Sequence, residues 1–205
     1  MTVLRATMSP SRDRTADGML EVDVYDLPKA ITAETTGVYL NGDIDQIFLF
    51  ERRDLLSDFV FRGGRVLVNG HAQRSFLTRL PLWRRLDYRT PADLVITRVT
   101  DHPVWSGIAT EALLFNTGRK GRLTHEERRR TGVAGFYGRG CYLHLPHEAR
   151  VIHTIGTTAA PLDFEYPLGR GHVLVHGGND LLQFADVDRD TERMRHQIVE
   201  WLEGA

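Results

Sequence analysis

The chain is poor in cysteine, in lysine and in long apolar runs. Cys141 is the single cysteine in 205 residues. That excludes an intramolecular disulfide and any metal site built from several thiolates. Lys29 and Lys120 are the only lysines, so nearly all of the 26 basic residues are arginine. Arginine suits planar, bidentate anion recognition, but codon bias gives the same enrichment, and composition alone assigns no role. No apolar run approaches the roughly 20 residues that span a bilayer. The opening segment, "MTVLRATMSPSRDR", lacks the apolar core of a secretory leader, because "TVLRAT" is short and Arg5 interrupts it. A cytoplasmic protein with no membrane partner is therefore expected. A formal net charge of -1 offers no global attraction to nucleic acid. The basic stretch "RKGRLTHEERRR" (119–130) carries Glu126 and Glu127 among its arginines and reads as a solvated loop. No nucleic-acid partner is expected.

What is present is an ordinary globular composition, with 41% hydrophobic and 26% charged residues. A length of 205 residues fits a single domain over residues 1–205. Segments 2–7, 19–27 and 36–42 read as strands, the last ending in the Asn41-Gly42 turn signal. Residues 43–64 read as one helix, with Asp43 and Gln46 spaced as a capping box and Gly63-Gly64 as the stop. Its apolar residues fall into two neighbouring stripes, Phe48, Leu55, Phe59 and Leu49, Leu56, Val60. Residues 63–70 then form a buried strand of parallel type, since Val66-Leu67-Val68 does not alternate. Segments 92–100, 149–156 and 171–178 read as further strands. Residues 188–204 read as a closing amphipathic helix, with Met194, Ile198, Trp201 and Leu202 as its stripe and Asp188 or Asp190 as its cap. Strands interleaved with helices imply an α/β fold, with a mostly parallel central sheet and helices on both faces. Residues 65–68 are expected in a central strand.

Right-handed crossovers bring the ends of parallel strands to one rim, where α/β sites form. Four motifs would meet there: "NGHAQ" (69–73), "DHPVWSGI" (101–108), "GFYGRG" (135–140) and "HGGNDL" (176–181). With Gly63-Gly64 and "LGRGHVLVHGGNDL" (168–181), this ordered set resembles the class I glutamine amidotransferase-like superfamily, in particular its ThuA-like branch. The resemblance spans roughly residues 19–185. It implies a flavodoxin-like three-layer sandwich and a strand-end site. Enzymes of that class carry a cysteine at the elbow after the equivalent strand and a late His-x-Glu. Here Val68, Asn69 or Gly70 occupies the elbow, and "HGGND" stands in the later place. No Cys, Ser or Thr occurs between Arg65 and Arg74. The thiolate that attacks in Cys-His-Glu glutamine hydrolysis is thus missing. Cys141 lies well past the elbow and reads as a buried, inert thiol.

The rim residues supply their own chemistry. His71, directly after a buried strand, is a candidate general base or ligand, and Asp180 is its candidate partner. Asp180 and Asn179 can also act as helix caps. Asn69, Gly70, His102, Tyr137, Arg139, His176 and Asn179 are candidate ligand-binding residues. Arg139 sits between two glycines on a loop suited to presenting a guanidinium to a carboxylate or phosphate. His102 before Pro103 can equally pack against Trp105. His71, His102, His176 and Asp180 are types that hold zinc, but no local ligand spacing supports a metal site. No metal or cofactor is expected. The leading expectation is an amidotransferase-like domain without glutaminase chemistry that binds a small polar ligand, sugar-like or anionic, at the rim. The alternatives are an enzyme using His71 and Asp180 in acid-base or metal-assisted chemistry, and a non-catalytic interaction or assembly protein. A homo-oligomer is compatible with each.

Overall fold

The computed structural model describes residues 1–11, 15–116, 135–186 and 189–204. The basic stretch 119–130 and Asp188 lie outside the described residues. The strands in chain order are β1 (Thr2–Thr7), β2 (Thr15–Ala16), β3 (Met19–Asp23), β4 (Thr35–Leu40), β5 (Arg65–Asn69), β6 (Trp83–Arg85), β7 (Ile96–Arg98), β8 (Phe115–Asn116), β9 (Gly135–Phe136), β10 (Gly140–Tyr142), β11 (Arg150–Ile155), β12 (Ala160–Leu168) and β13 (Gly171–His176). The helices are α1 (Leu27–Ala30), α2 (Gln46–Glu51), α3 (Arg53–Phe61) and α4 (Met194–Glu203).

Nine strands form one sheet in the order β2-β3-β1-β4-β5-β13-β12-β11-β7. The block β3-β1-β4-β5-β13 is parallel throughout. β12, β11 and β7 continue it as an antiparallel meander, and β2 closes the other edge. Six strands, the parallel block and β11, run the same way. β5, with residues 65–68, lies in the middle of the sheet, as its unbroken apolar run implied.

Side chains alternate across the sheet and are covered on both faces. On one face, α3 buries Leu56, Phe59 and Val60 against Leu4, Val38, Val66, Val68 and Val173. On the other, α4 buries Met194, Ile198, Trp201 and Leu202 against Val3, Tyr39, Leu67 and Leu174. The stripe expected for the closing helix is the stripe that packs.

Several boundaries differ from the expectation. Residues 43–64 form two helices, not one, with the break at Arg52 (φ -123°, ψ 33°). The cap is Asp45, whose carboxylate accepts from the Ile47 and Phe48 amides. The Gln46 side chain turns away to a rim loop instead of completing a box with Asp43. Segment 92–100 yields only the short edge strand β7, because Pro91–Leu94 winds into a 3-10 turn. The last helix begins at Met194. Asp190 adopts a left-handed φ of 57° and is no cap, and buried Thr191 ties the preceding turn to the Phe184 carbonyl and the Asp186 amide. Segment 149–156 is a strand, but an antiparallel one. β12, the longest strand, was not foreseen.

Candidate functional site

The parallel strands end on one rim, and a pocket of about 590 Å³ opens there. Three strand-end segments line it: Asn41-Gly42-Asp43 after β4, Gly70-His71 after β5, and Gly178-Asn179-Asp180 after β13. Arg5, Asp17, Leu182, Gln183 and Arg195 complete the wall. Leu182 is the one apolar side chain among them, so the site is built for polar groups.

The turn after β5 decides which side chains can stand at the strand end. Gly70 has φ +89°, the left-handed region that side chains disfavour. A Cβ there would lie 2.9 Å from the Gly42 Cα. A side chain at position 70 therefore does not fit without displacing the β4 turn. The Tyr142 hydroxyl donates to the Gly70 carbonyl (3.1 Å) and holds this turn from below.

His71 is half-buried at the pocket edge. Its ring stacks on Trp83 at a centroid distance of 4.1 Å and an interplanar angle of 22°. Its carbonyl accepts from Gln46 Nε2 (2.9 Å), and Gln46 Oε1 accepts from the Gln73 and Arg74 amides. Burial, followed by the nearby charges of His176 and Arg139, lowers the His71 pKa below the ordinary histidine value. The ring is thus a neutral imidazole at pH 7, able to accept a proton or a hydrogen bond.

Asp180 both lines the pocket and caps the turn that follows it. One oxygen, Oδ1, accepts from the Tyr39 hydroxyl (2.8 Å) and from the Leu182 amide (3.0 Å). Burial, then the Asp180 charge, pushes the Tyr39 phenol well above its usual range, so it stays a donor. Asn69 lies just beneath. Its Nδ2 donates to the Tyr39 hydroxyl (3.0 Å) and its Oδ1 accepts from the Leu181 amide (3.0 Å). Asn69 and Tyr39 therefore fix Asp180 from the sheet side. On the far wall, Asp17 accepts from both Arg5 and Arg195, and Arg5 Nε donates to Asn41 Oδ1 (2.9 Å). The two guanidiniums are already paired with carboxylate, and with Asp43 and Asp180 the lining holds three carboxylates against two guanidiniums.

Of the nine candidate residues, Gly70, His71, Asn179 and Asp180 line this pocket. Asn69 supports it. The other four do not face it. His176 is fully buried, and its ring nitrogens meet Asp163 Oδ1 (2.6 Å) and the Asn179 carbonyl (2.8 Å). Tyr137 is buried and donates to Asp163 Oδ2 (2.8 Å). His102 lies away from the rim. Its Nδ1 accepts from the Val104 amide, its Nε2 stands 3.6 Å from Glu165, and its ring packs edge-on to Trp105. Arg139 is exposed and lies over the Phe136 ring at 4.6 Å. His71, His102, His176 and Asp180 thus do not converge on a metal. Among the described residues no group of three His, Cys, Asp or Glu side chains is arranged to hold one.

Arg5, Asp17, Tyr39, Asp43 and Arg195 were not foreseen as site residues. The Asn-Gly turn after β4 was a usable signal for Asp43 and Tyr39. Arg5 and Arg195 come from a strand and a helix far apart in sequence, with no local mark. The buried centre beside the pocket was missed too. Asp163, in β12, accepts from His153 Nδ1 (2.7 Å), His176 Nδ1 and Tyr137, and all four side chains are essentially inaccessible. Burial alone pushes the Asp163 carboxyl up. The His176 charge and the bonds from His153 and His176 outweigh it and hold the group well below the usual carboxylate range.

No family model matches the chain, and no curated protein matches it. Among solved structures it is similar to the cytoplasmic protein STM3548 from Salmonella typhimurium, at 12% identity and a TM-score of 0.56. The match covers 98% of this chain and 99% of that one. At this identity the likeness is one of fold. No described helix is long and apolar enough to cross a membrane.

Proposed function

We propose that the chain is a class I glutamine amidotransferase-like domain that binds a small, hydroxylated polar ligand at the strand-end rim and lacks glutaminase chemistry. The observation that carries this is the pocket itself, in which the ends of β4, β5 and β13 present Asp43, His71, Asn179 and Asp180 to one polar space. A flavodoxin-like arrangement is supported by the strand order. Numbered among themselves in chain order, the five parallel strands run 2-1-3-4-5, and a ligand crevice is expected at their carboxyl ends. Loss of the elbow nucleophile is supported by the Gly70–Gly42 approach. Cys141 does not replace it, because the residue is buried and burial pushes its thiol pKa up, away from thiolate. A cytoplasmic location accords with STM3548 being a cytoplasmic protein.

Two paired guanidiniums and three carboxylates favour an uncharged ligand with many hydroxyls over a polyphosphate. A thermal-shift panel of monosaccharides, polyols and sugar acids on the whole chain tests this. A hit should be weakened by His71→Ala and Asp43→Asn, with each shift taken against the variant's own ligand-free melting temperature because His71→Ala also loses the stack on Trp83. A panel with no stabiliser, or a hit that ignores both substitutions, overturns the reading. No ammonia should be released from glutamine, and Cys141→Ser should change no activity found.

A second reading has one observation in its favour. A histidine kept neutral by burial, stacked on Trp83 and lining the same pocket as Asp43 and Asp180, is equipped as a general base. If a bound hydroxylated compound is converted, His71→Ala should lower turnover while His71→Gln retains binding.

A further inference from the structure

His176 sits at the end of β13, directly before the segment that lines the pocket. Its two ring nitrogens both face oxygen acceptors. Nδ1 meets the Asp163 carboxylate at 2.6 Å, and Nε2 meets the Asn179 main-chain carbonyl at 2.8 Å. A neutral imidazole has one N–H and one lone pair. Either neutral tautomer would turn a lone pair onto an oxygen at hydrogen-bond distance, with the ring and Asp163 fully buried. Two N–H groups satisfy both partners. His153, on the other oxygen of Asp163, differs. Arg98 Nε donates to its Nε2 at 3.2 Å, so that nitrogen carries the lone pair and Nδ1 carries the hydrogen. The network thus holds one imidazolium, His176, against one carboxylate, Asp163. Tyr137 adds a neutral donor, and its ring lies 4.6 Å from the His176 ring.

The Nε2 bond reaches the loop that makes the site. Segment 177–180 passes so close over the ring that a Cβ on Gly178 would lie 2.8 Å from His176 Nε2 and would overlap the Tyr137 carbonyl. The Asn179 amide donates to that same Tyr137 carbonyl (3.2 Å), and Asn179 Nδ2 donates to the Phe136 carbonyl (2.8 Å). We infer that His176 is a doubly protonated, fully buried clamp that holds segment 177–180 on the sheet end and so positions Asn179 and Asp180 in the pocket. It is a positioning residue, and it touches no ligand. The functional half of this role rests on the pocket reading above, whereas the ring state and the loop restraint do not.

The test is nitrogen-15 NMR of the histidine rings in the intact chain at pH 7, with His176 assigned by its loss in His176→Gln. Both His176 ring nitrogens should carry a hydrogen. Asp163→Asn should remove one of them, because an amide NH₂ facing Nδ1 makes that nitrogen an acceptor while Nε2–H still reaches Asn179. Hydrogen exchange gives a second readout that needs no ligand. In His176→Gln the amides of Asn179, Leu181 and Leu182 should exchange roughly tenfold faster or more, as befits a lost buried bond, while Val173–Val175 keep their protection. A single ring hydrogen in the unmodified chain overturns the inference. So does a loop whose exchange is unchanged, or one that loosens only together with β13. A silent ligand panel alongside two ring hydrogens and a loosened loop would sink the pocket reading and leave the clamp standing.

Discussion

Removing the carboxylate at the centre of the buried network is the sharpest perturbation available. Asp163→Ala deletes the acceptor for three donors at once: His176 Nδ1 (2.6 Å), His153 Nδ1 (2.7 Å) and the Tyr137 hydroxyl (2.8 Å). None of these side chains reaches water. Breaking a buried pair from one side costs about 3–5 kcal/mol, because the remaining charge has no counter-ion. A chain of this size loses about 2–4 °C of melting temperature per kcal/mol, so a fall of about 6–20 °C is expected. Asp163→Asn should cost clearly less, since a change of tautomer at His176 restores a partner to every nitrogen. The exposed pair Arg79–Glu148, with side chains 54% and 51% accessible, is the control. Its removal should stay within about 0.5 kcal/mol. Urea unfolding followed by circular dichroism measures all three variants. If Asp163→Ala loses less than about 1 kcal/mol, or if Asn and Ala cost the same, the buried charge pair is not what the geometry describes.

Three other outcomes follow from the same structure. Glu165 lies 3.6 Å from His102, 3.1 Å from His172 and 3.0 Å from Arg150; burial raises its pKa, but His102 first, then His172 and Arg150, outweigh that and hold it down at about 2. A carboxyl depressed in the folded state stabilises above its unfolded pKa near 4.3, and that contribution is lost as pH falls through the folded value. Glu165→Gln should therefore flatten the stability profile between about pH 4.5 and 2, and an unchanged slope there refutes the assignment. Gly70→Cys, which puts a thiol at the elbow, should destabilise by at least about 1–2 kcal/mol through its left-handed φ alone and should release no ammonia from glutamine. A stable, glutamine-hydrolysing Gly70→Cys protein would reverse the reading of the elbow. Asp180→Ala should lose about 1 kcal/mol as a cap and also weaken any rim ligand; melting and affinity measured on the one variant separate these effects, and intact binding removes Asp180 from the site.

The parts of the fold that were legible are those in which burial writes a period into the sequence. Val66-Leu67-Val68 has both faces covered, so an unbroken apolar run marks a central strand. Met194, Ile198, Trp201 and Leu202 mark one covered face of a helix. β12 escaped for the opposite reason. Its apolar residues Leu162, Phe164, Tyr166 and Leu168 do alternate with Asp163 and Glu165, but Pro161 and Pro167 argue against a strand. Both prolines are tolerated because each lies where one neighbour has ended: Pro161 beyond β13, and Pro167 beyond the start of β11. The alternation would in any case have misled, since it assigns Asp163 to solvent. Tyr137 and Trp105 close over that side, and the charge is interior.

The candidate site divides along the same physical line. A rim residue is recognisable because the chain must turn there, and turning leaves a local mark. Asn41-Gly42, Asn69-Gly70-His71 and Gly177-Gly178-Asn179-Asp180 all carry it, and all reach the pocket or its floor. His176 and Tyr137 carry the same mark by adjacency yet point inward, because side chains on a strand alternate and no sequence rule says which way the last one faces. The arginines have no mark at all. Arg5 is a mid-strand residue of β1 and Arg195 the second residue of α4, and Asp17 joins them only because the turn between β2 and β3 bends over the sheet end. Their effect on ligand choice is nonetheless large. Had both guanidiniums been unpaired, the pocket would suit a phosphate; paired on Asp17, they leave Asp43, Asp180 and a neutral His71 as the groups a ligand meets. Asp17→Asn tests that balance. It removes the counter-ion the two share; Arg5 keeps Glu21 (3.4 Å) while Arg195 loses its carboxylate, so the rim's preference should shift from uncharged polyols toward sugar phosphates, read by the same thermal-shift panel. A preference that stays with uncharged compounds would mean that the arginines serve only to brace the fold.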